Sequence, residues 1–552
     1  MKRKLTKILE DTLDLCFREG HLRQMPIPGF VMEVPTNPDH GHFATNLAMT
    51  LAGGQKSAPR DIAEIIIRHL VDHDHFVLKA EIGGAGFINF FISTAQWYSF
   101  LSQVINLRDD YGRSAIGKME KMMVEFVSAN PTGPLHLGHG RGAALGDTLC
   151  RILDFNGYDV SREFYINDVG QQIKLLGESI HSRWRQISDP TYPFPSDGYQ
   201  GDYIQELAIE IAKEGRLEGL DTHEAMDLLS DLGKDRMTKE MEEDLANFRI
   251  HFDLWFKESD LYSAGKIDHA IKLMEKKGLL FEEDGALWIR TSNFGDDKDR
   301  VIRKKDGQFT YFTSDISYHF DKWKRGFKRV INIWGADHHG YVTRVKAALE
   351  ADGVPGDWLE VLLVQLVKLW QGGAEVKMSK RSARYITLRE LVDDVGVDAA
   401  RFVFLSKDHT SPIDFDMDLV KKKDKENPVY YVQYAHARVC SLFGKAGKEN
   451  IHLPEHPGPV LQRLVLDEEV ALIRKIAEFP SLIEEIVRDL GPHRLTYYLV
   501  ELASSFHSYY NRHRIVTDDR ALSQARLFLS LGVKIVIKNG LNLLGVSAPE
   551  VM

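Results

Sequence analysis

Residues 124–141 read VEFVSANPTGPLHLGHGR, and this stretch determines the fold that we expect around it. The apolar run MMVEFV (122–127) has the length of a strand, and AALGDTLCRILDF (143–155) carries apolar residues at helical spacing. The next segment, VSREFYI (160–166), alternates like a second strand. Strand, glycine-rich loop, helix and strand form the βαβ unit of a doubly wound sheet, which binds ligands at the carboxyl ends of its strands.

Two later segments, VINIWGADHHG (330–340) and LEVLLVQLVKLW (359–370), predict further strands of the same sheet. We therefore expect an α/β domain with a Rossmann-type parallel sheet over residues 111–424. Within it, residues from about 175 to 290 are charged, aromatic and mostly helical in pattern, which predicts an insertion.

The two flanking regions differ from this middle part. Residues 1–110 mix an amphipathic helix with segments such as GGAGFINFFIS, which predicts an α+β domain. From 425 to 552 the apolar residues keep steps of three and four, which predicts an all-helical domain.

Composition excludes several classes of protein. The chain of 552 residues is 43% hydrophobic and 27% charged, values typical of a soluble globular protein. It has no apolar run of about 18 residues and no signal-peptide pattern, so we expect no membrane contact and a cytoplasmic location. The three cysteines are far apart and show no CxxC spacing, which argues against a disulfide framework and against structural zinc: Cys16, Cys150 and Cys440.

The formal net charge is −10, although RNA binding calls for positive patches. Where the charge lies matters more than its sum. The runs KWKRGFKR (322–329) and KKKDK (421–425) supply such patches, or they are ordinary solvated helix faces.

The segment HLGH enters a predicted helix, whose N-terminal amides favour a bound phosphate. Its two histidines, His136 and His139, can donate hydrogen bonds to ATP phosphate oxygens, and Gly138 lets a phosphate approach. The alternative is that one histidine caps the helix while the other packs. A metal site is the weaker interpretation, because the sequence offers no third ligand nearby.

A second segment, GGAEVKMSKRSARYITL (372–388), follows the last predicted strand. Lys377 and Lys380 flank Met378 and Ser379 on a predicted loop, and two ammonium groups there suit a pyrophosphate leaving group. The alternative is a basic surface loop.

HLGH and KMSK match the two signature motifs of class I aminoacyl-tRNA synthetases. Longer strings over the whole chain resemble the bacterial arginyl-tRNA synthetases, from DHGHFATNLAM (39–49) to NGLNLLGVSAPEVM (539–552). Others are INDVGQQI, YFTSDISYH, WGADHHG and YYVQYAHARV. The resemblance implies a ligase that forms arginyl-adenylate from L-arginine and ATP and then esterifies the terminal adenosine of tRNA(Arg). It also implies Mg²⁺ with ATP, an anticodon-binding C-terminal domain and an N-terminal domain that reads the tRNA elbow; we expect a monomer.

By the same resemblance, the sequence supplies three sets of contacts. ATP is expected to meet His136, Gly138, His139, Asp337, Lys377, Met378, Ser379 and Lys380. L-arginine is expected to meet Glu125, Asn130, His136, Tyr311, Asp315 and Asp337, and which carboxylate takes the guanidinium stays open. The tRNA is expected to meet Phe87, Asn89, Tyr430, Gln433, Tyr434, Tyr509, Asn511 and Arg512.

Three rival functions are weaker. A small-molecule nucleotidyltransferase shares HxGH but explains neither flanking domain. A cysteine-specific ligase would need zinc ligands, which the sequence does not supply. A non-catalytic RNA-binding relative would not need the lysines of KMSK.

Overall fold

A computed structural model describes residues 1–35, 37–376 and 386–552 of the chain. The N-terminal part contains four helices around an antiparallel sheet with the strand order β1-β2-β4-β3. Its elements are α1 (Lys2–Arg18), β1 (Met32–Glu33), β2 (Phe43–Thr45), α2 (Leu47–Gln55), α3 (Pro59–Arg68), β3 (Val77–Gly83), β4 (Phe87–Ile92) and α4 (Thr94–Leu107). This is the expected mixture of helix and strand.

The middle part begins with the predicted βαβ unit and continues through ten strands beyond β5. Its elements are β5 (Lys121–Glu125), α5 (Leu137–Phe155), β6 (Asp159–Ile166), α6 (Gln171–Ser188), α7 (Asp202–Lys213), α8 (Thr222–Asn247), β7 (Leu254–Lys257), α9 (Ser259–Ser263), α10 (Lys266–Lys276), β8 (Leu280–Glu283), β9 (Ala286–Ile289), β10 (Arg300–Arg303), α11 (Tyr311–Lys324), β11 (Arg329–Gly335), α12 (His339–Ala351), β12 (Leu359–Val364), β13 (Val367–Gln371), β14 (Ala374–Val376), α13 (Leu388–Val395), α14 (Val397–Phe404), β15 (Ile413–Asp416) and α15 (Met417–Val420).

The central sheet is parallel and has the strand order β12-β11-β5-β6-β7. In its register Val124 of β5 lies between Ile331 of β11 and Arg162 of β6. The chain leaves β5 toward β6 on one side, and β11 is added on the other side. The crevice beyond the carboxyl ends of β5 and β11 is therefore the switch point at which such sheets bind ligands.

Two parts of the middle region differ from expectation. Within the range 175–290, where we expected a helical insertion, strand β7 pairs with β6, so the chain returns to the central sheet. The apolar run 359–370 was expected to belong to that sheet, and for its second half this is wrong. Strand β13 pairs with β14 and β15 in a separate sheet, because the chain breaks at Gln365 and at Leu366, which is 74% exposed. An uninterrupted apolar run conceals such a break.

The C-terminal part is helical, as predicted, and its four long helices are α16 (Pro428–Lys448), α17 (Asp467–Asp489), α18 (His493–Arg512) and α19 (Arg520–Leu543). Helix α4 of the N-terminal part packs on α17 and α19, so one apolar core runs from Leu5 to Val546. No helix of the described ranges is long and apolar enough to cross a membrane.

A buried arginine joins the end of the last helix to helix α5. Arg401 of α14 is fully buried and pairs with Asp147 of α5 at 2.5 Å. Its guanidinium also donates to the carbonyl oxygens of Leu544, at 2.8 Å, and Phe248, at 3.2 Å. Close by, Asp398 accepts hydrogen bonds from Arg249 and from Gln433, at 2.6 and 2.8 Å.

Candidate active site

The segment HLGH forms the start of α5. The ring Nδ1 of His136 accepts the backbone N–H of Gly138 at 3.1 Å, and the Nδ1 of His139 accepts that of His136 at 3.3 Å. The two rings stack with their centroids 3.7 Å apart. Since each Nδ1 is an acceptor, the hydrogen of each neutral ring is on Nε2. Capping the helix and donating to a ligand are thus compatible roles for His136.

A cavity of about 760 Å³ opens in front of this helix start. One wall is the loop from Asn130 to His139, and the other is the segment 196–203 between α6 and α7. The hydroxyl of Tyr203 donates to the carbonyl oxygen of Thr132 at 2.8 Å and so joins the two walls. The structure therefore brings Asn130, His136 and His139 to one cavity.

The chain on the carboxyl side of KMSK lies against the same loop. Thr387 forms a β-bridge with His136, and the N–H of Leu388 donates to the carbonyl oxygen of Leu135 at 2.7 Å. The KMSK residues themselves, Lys377, Met378, Ser379 and Lys380, lie outside the described residues.

Behind the loop is a buried network of charged and polar side chains. Glu125, the last residue of β5, accepts a hydrogen bond from the fully buried Lys322 at 2.5 Å and another from Ser128 at 2.8 Å. Lys322 also donates to the Oδ1 of Asn332 on β11, at 3.1 Å. The charge of Glu125 is thus already balanced within the protein.

The network continues through His319 to the main chain of Asp315. The amide of Asn332 donates to the Nε2 of His319 at 2.8 Å, so Nδ1 carries the hydrogen that reaches the carbonyl oxygen of Asp315 at 2.7 Å. Burial, together with the charge of Lys322, lowers the pKa of His319 to about 3. His319 is therefore a neutral spacer and takes no part in proton transfer near pH 7.

Asp315 of α11 differs from Glu125 because no cation pairs with it in the described part of the chain. Burial raises the pKa of Asp315 to about 7, helped by the charges of Glu258 and Glu125 and opposed by a hydrogen bond from the hydroxyl of Tyr341. Tyr311 lies one turn earlier on the same helix and is 65% exposed. Asp315 is a carboxylate that would gain most from a cationic ligand.

Sequence reasoning missed Glu258. It follows β7 directly, its side chain is 3% exposed, and its N–H donates to the carbonyl oxygen of Ile166 at 2.9 Å. Burial raises its pKa, although hydrogen-bonding side chains such as Ser314 oppose the rise. A carboxylate immediately after the strand LWFK was the available signal, and it was lost because we expected an insertion there.

Asp337 lies just beyond β11. Its side chain is 85% exposed, and its nearest ionisable partner among the described residues is the Nε2 of His338, 3.9 Å away. No hydrogen bond or ion pair of the described residues joins Asp337 to Asp315.

The residues expected to contact RNA differ in how far they are buried. Gln433 and Tyr509 are 8% and 2% exposed, and both are used internally: Tyr509 donates to Glu469 at 2.9 Å. On β4, Asn89 is buried and Phe87 is half-buried. The remaining four reach the surface: Tyr430 in part, and Tyr434, Asn511 and Arg512.

Two of these residues, Tyr430 and Tyr434, belong to a continuous stack of side chains on α16 and α18. We call this stack the aromatic ladder, and its members are Tyr430, Tyr434, Arg438, His507 and Tyr510. The rings of Tyr430 and Tyr434 have centroids 6.0 Å apart, and the guanidinium of Arg438 lies 4.6 Å above Tyr434. Aromatic and guanidinium faces of this kind can stack on unpaired bases.

Comparison with known families covers nearly the whole chain. The family model of the arginyl tRNA synthetase N terminal domain matches residues 3–92. The model of the catalytic domain of class I (R) tRNA synthetases matches residues 101–413, and that of the DALR anticodon binding domain matches residues 432–552.

Full-length relatives agree with these matches. The chain is 48% identical to an arginine–tRNA ligase of Desulfosudis oleivorans and 47% identical to one of Geotalea uraniireducens, and each alignment covers 100% of both chains. The fold resembles the solved arginyl-tRNA synthetase of Thermus thermophilus, with a TM-score of 0.78 at 23% identity over 100% of both chains. With the helix-start histidines and the buried carboxylates at the switch point, these matches show that the chain belongs to the class I arginyl-tRNA synthetase family.

Proposed function

We propose that this protein is an arginine–tRNA ligase whose active site is the crevice beyond β5 and β11. The observation that carries the residue assignments is the meeting of two features there. Imidazole Nε2–H donors stand at the start of α5. Behind them lie two desolvated carboxylates, Asp315 and Glu258, with which no cation of the described residues pairs. The first feature suits phosphate and the second suits a guanidinium.

In the first step, an oxygen of the arginine carboxylate attacks the α-phosphorus of ATP and pyrophosphate leaves. His136 and His139 donate to phosphate oxygens, assisted by the positive end of the 19-residue helix α5. By resemblance, Lys377 and Lys380 neutralise the departing pyrophosphate. Mg²⁺ would accompany ATP as part of that substrate and would offset phosphate charge. The described residues contain no cluster of three or more side chains suited to a metal.

For the amino acid, we assign the guanidinium to Asp315, Glu258 and Tyr311. A guanidinium would replace the missing positive charge beside the two carboxylates and restore their ionised forms. Glu125 is already balanced by Lys322, so we assign it and Asn130 to the ammonium and carboxylate end of arginine. We assign the exposed Asp337 to a contact with ATP and arginine at the rim of the site.

In the second step, a ribose hydroxyl of the terminal adenosine of tRNA(Arg) attacks the arginyl carbonyl, and AMP leaves. The enzyme forms no covalent intermediate, so catalysis consists of positioning and charge stabilisation. We propose that Phe87 and Asn89 contact the tRNA elbow. We propose that the aromatic ladder, with Asn511 and Arg512, contacts the anticodon. We also propose that the protein acts as a monomer in the cytoplasm.

The test is ATP–pyrophosphate exchange with each amino acid, with and without tRNA(Arg). We expect exchange with arginine alone among the amino acids, and only when tRNA is present, as the family resemblance implies. Exchange with another amino acid would exclude arginine as the substrate. Sedimentation of the protein at several concentrations tests the proposed monomer separately.

A further inference from the structure

A second cavity, of about 440 Å³, lies between the N-terminal part and the helical C-terminal part. Phe43 of β2 and Trp97 of α4 form one side, and Arg474 of α17 and Tyr498 of α18 form the other. None of its lining residues belongs to the active site proposed above. Its volume is in the range of small-molecule sites, about 300–1,000 Å³.

Hydrogen-bond donors on the wall of this cavity lack acceptors. Trp97 is 3% exposed, and its indole Nε1 has no hydrogen-bond partner among the residues that the structure describes. The Nε of Arg474 is likewise buried without a partner, and its guanidinium lies 5.6 Å from the centre of the Trp97 ring. Buried donors without partners are unfavourable, so these two groups would gain from an acceptor.

A third donor comes from His42, whose ring meets that of Trp97 edge-on at 5.4 Å. Its Nδ1 accepts the N–H of Ile92 at 2.7 Å, so the neutral ring carries its hydrogen on Nε2. Burial, with the charge of Arg474, lowers the pKa of His42 to about 4, which keeps the ring neutral near pH 7. The wall therefore presents two neutral N–H donors and one guanidinium.

The charges around the cavity favour an anion. Its carboxylates are already paired, Glu485 with Lys2 at 2.9 Å, and Glu478 and Glu501 with Lys475 at 3.0 and 2.6 Å. By contrast, Arg474 has no carboxylate oxygen within 4.0 Å among the residues that the structure describes, and Asp467 acts on it only from farther away. Arg494 also lines the cavity and pairs with Glu485, so the lining side chains carry four positive charges against three negative ones, an excess of one.

Much of the remaining lining is apolar or aromatic, including Pro35, Phe43, Ala477, Leu482 and Tyr498. We propose that this cavity binds a small aromatic carboxylate, with its carboxylate on Arg474 and Trp97 and its ring against the apolar wall. A single guanidinium with neutral N–H donors suits a monoanion better than a phosphate dianion. Because the ligand would touch both α4 and α17, its binding would favour the observed contact between these two parts of the protein.

Benzoate is the probe, and benzamide is its neutral match in shape. We expect benzoate to raise the melting temperature of the full-length protein and to shift the indole N–H resonance of Trp97, assigned with Trp97→Phe. Benzamide should bind about tenfold more weakly, and so should benzoate to Arg474→Gln, because both lose a charge-assisted hydrogen bond. Arg488→Gln, exposed on the same helix, is the control and should bind benzoate like the wild type.

Several outcomes would overturn the proposal. Absence of benzoate binding would mean that water alone serves the donors. Equal affinity for benzamide would exclude an anion site, and equal affinity for inorganic phosphate would exclude an aromatic ligand. If Arg474→Gln does not fold, weaker benzoate binding by Trp97→Phe gives the same test. Since binding is measured directly, the result does not depend on aminoacylation.

Discussion

Asp315 is the residue whose ionisation most directly links the site to pH. With a pKa raised to about 7 by burial, Asp315 is mostly protonated at pH 6 and must lose its proton when a guanidinium binds. The dissociation constant of arginine should therefore fall about tenfold from pH 6 to pH 8 and be nearly constant above that. Calorimetric titration with arginine across this pH range measures the dissociation constant.

The matching variant is Asp315→Asn. It should raise the dissociation constant about 30-fold or more, equal to about 2 kcal/mol, and remove the pH dependence. Asp306→Asn, an exposed carboxylate of the same region, is the control. A pH dependence that survives in Asp315→Asn would assign the titration to another group, with Glu258 the next candidate.

Lys380 is expected to act on the leaving group alone. Lys380→Ala should lower the rate of arginyl-adenylate formation about 100-fold, as loss of one charge-stabilising donor does elsewhere, and leave arginine binding nearly unchanged. Single-turnover kinetics and arginine titration separate the two effects, and Lys368→Ala on β13 is the exposed control. Equal losses in rate and binding would show that the lysine contacts arginine.

At the scale of single elements, α5 must approach the central sheet closely to present its histidines. A Cβ on Gly146 would lie 2.2 Å from the Cγ of Phe126, whereas on Gly142 its nearest neighbour, a methyl of Ile333, would be 3.9 Å away. Gly146→Ala should therefore lower the free energy of unfolding by about 1–3 kcal/mol, and Gly142→Ala should not. Thermal unfolding compares them, and equal effects would mean that the helix shifts freely.

The aromatic ladder on α16 and α18 offers a second test at this scale. Tyr434→Ala removes a stacking face, which is worth about 1–3 kcal/mol per base, so the KM for tRNA(Arg) should rise about tenfold with the KM for arginine unchanged. Gln462→Ala, exposed elsewhere in the helical part, is the control. An unchanged KM for tRNA would remove the ladder from the proposed RNA surface.

Elements with a clear local pattern of apolar residues could be predicted from the sequence. The strand at Val124, the helix after HLGH and the helical character of the C-terminal part had clear periodicity and were predicted correctly. The separation of β13 from β12 was not, because both are apolar and only the exposed Leu366 marks the break. Glu258 was missed because we expected an insertion there, although it directly follows the strand LWFK. The burial of Tyr509 depends on Glu469, 40 residues away. Tertiary contacts of this kind leave no local signal.

At the scale of the whole molecule, hydrogen bonds to Asp398 link the catalytic and helical parts. Burial opposes ionisation, but hydrogen bonds from Ser547 and Arg249 lower the pKa of Asp398. Its stabilising contribution is therefore complete above the unfolded-state pKa of about 3.9 and is lost as the pH falls through the lower, folded-state value. Asp398→Asn should cost about 2–5 kcal/mol at pH 7.

Thermal unfolding at pH 7 measures this cost, and Asp393→Asn, exposed on α13, serves as the control. If both variants unfold alike, the two parts are held together by their shared apolar core and not by the hydrogen bonds to Asp398.

The bonds of Arg401 also order events during synthesis. A ribosome makes the N-terminal parts first, but the carbonyl oxygen of Leu544 that Arg401 needs comes from near the last residues of the chain. Until α19 has emerged, this guanidinium lacks one of its acceptors, and the apolar core beside it is open. The nascent catalytic part should thus be cut readily by protease when translation is stalled before residue 520, and become resistant only once α19 and Leu544 are outside the ribosome. Folding of the catalytic part is thus completed only when α19 packs against it.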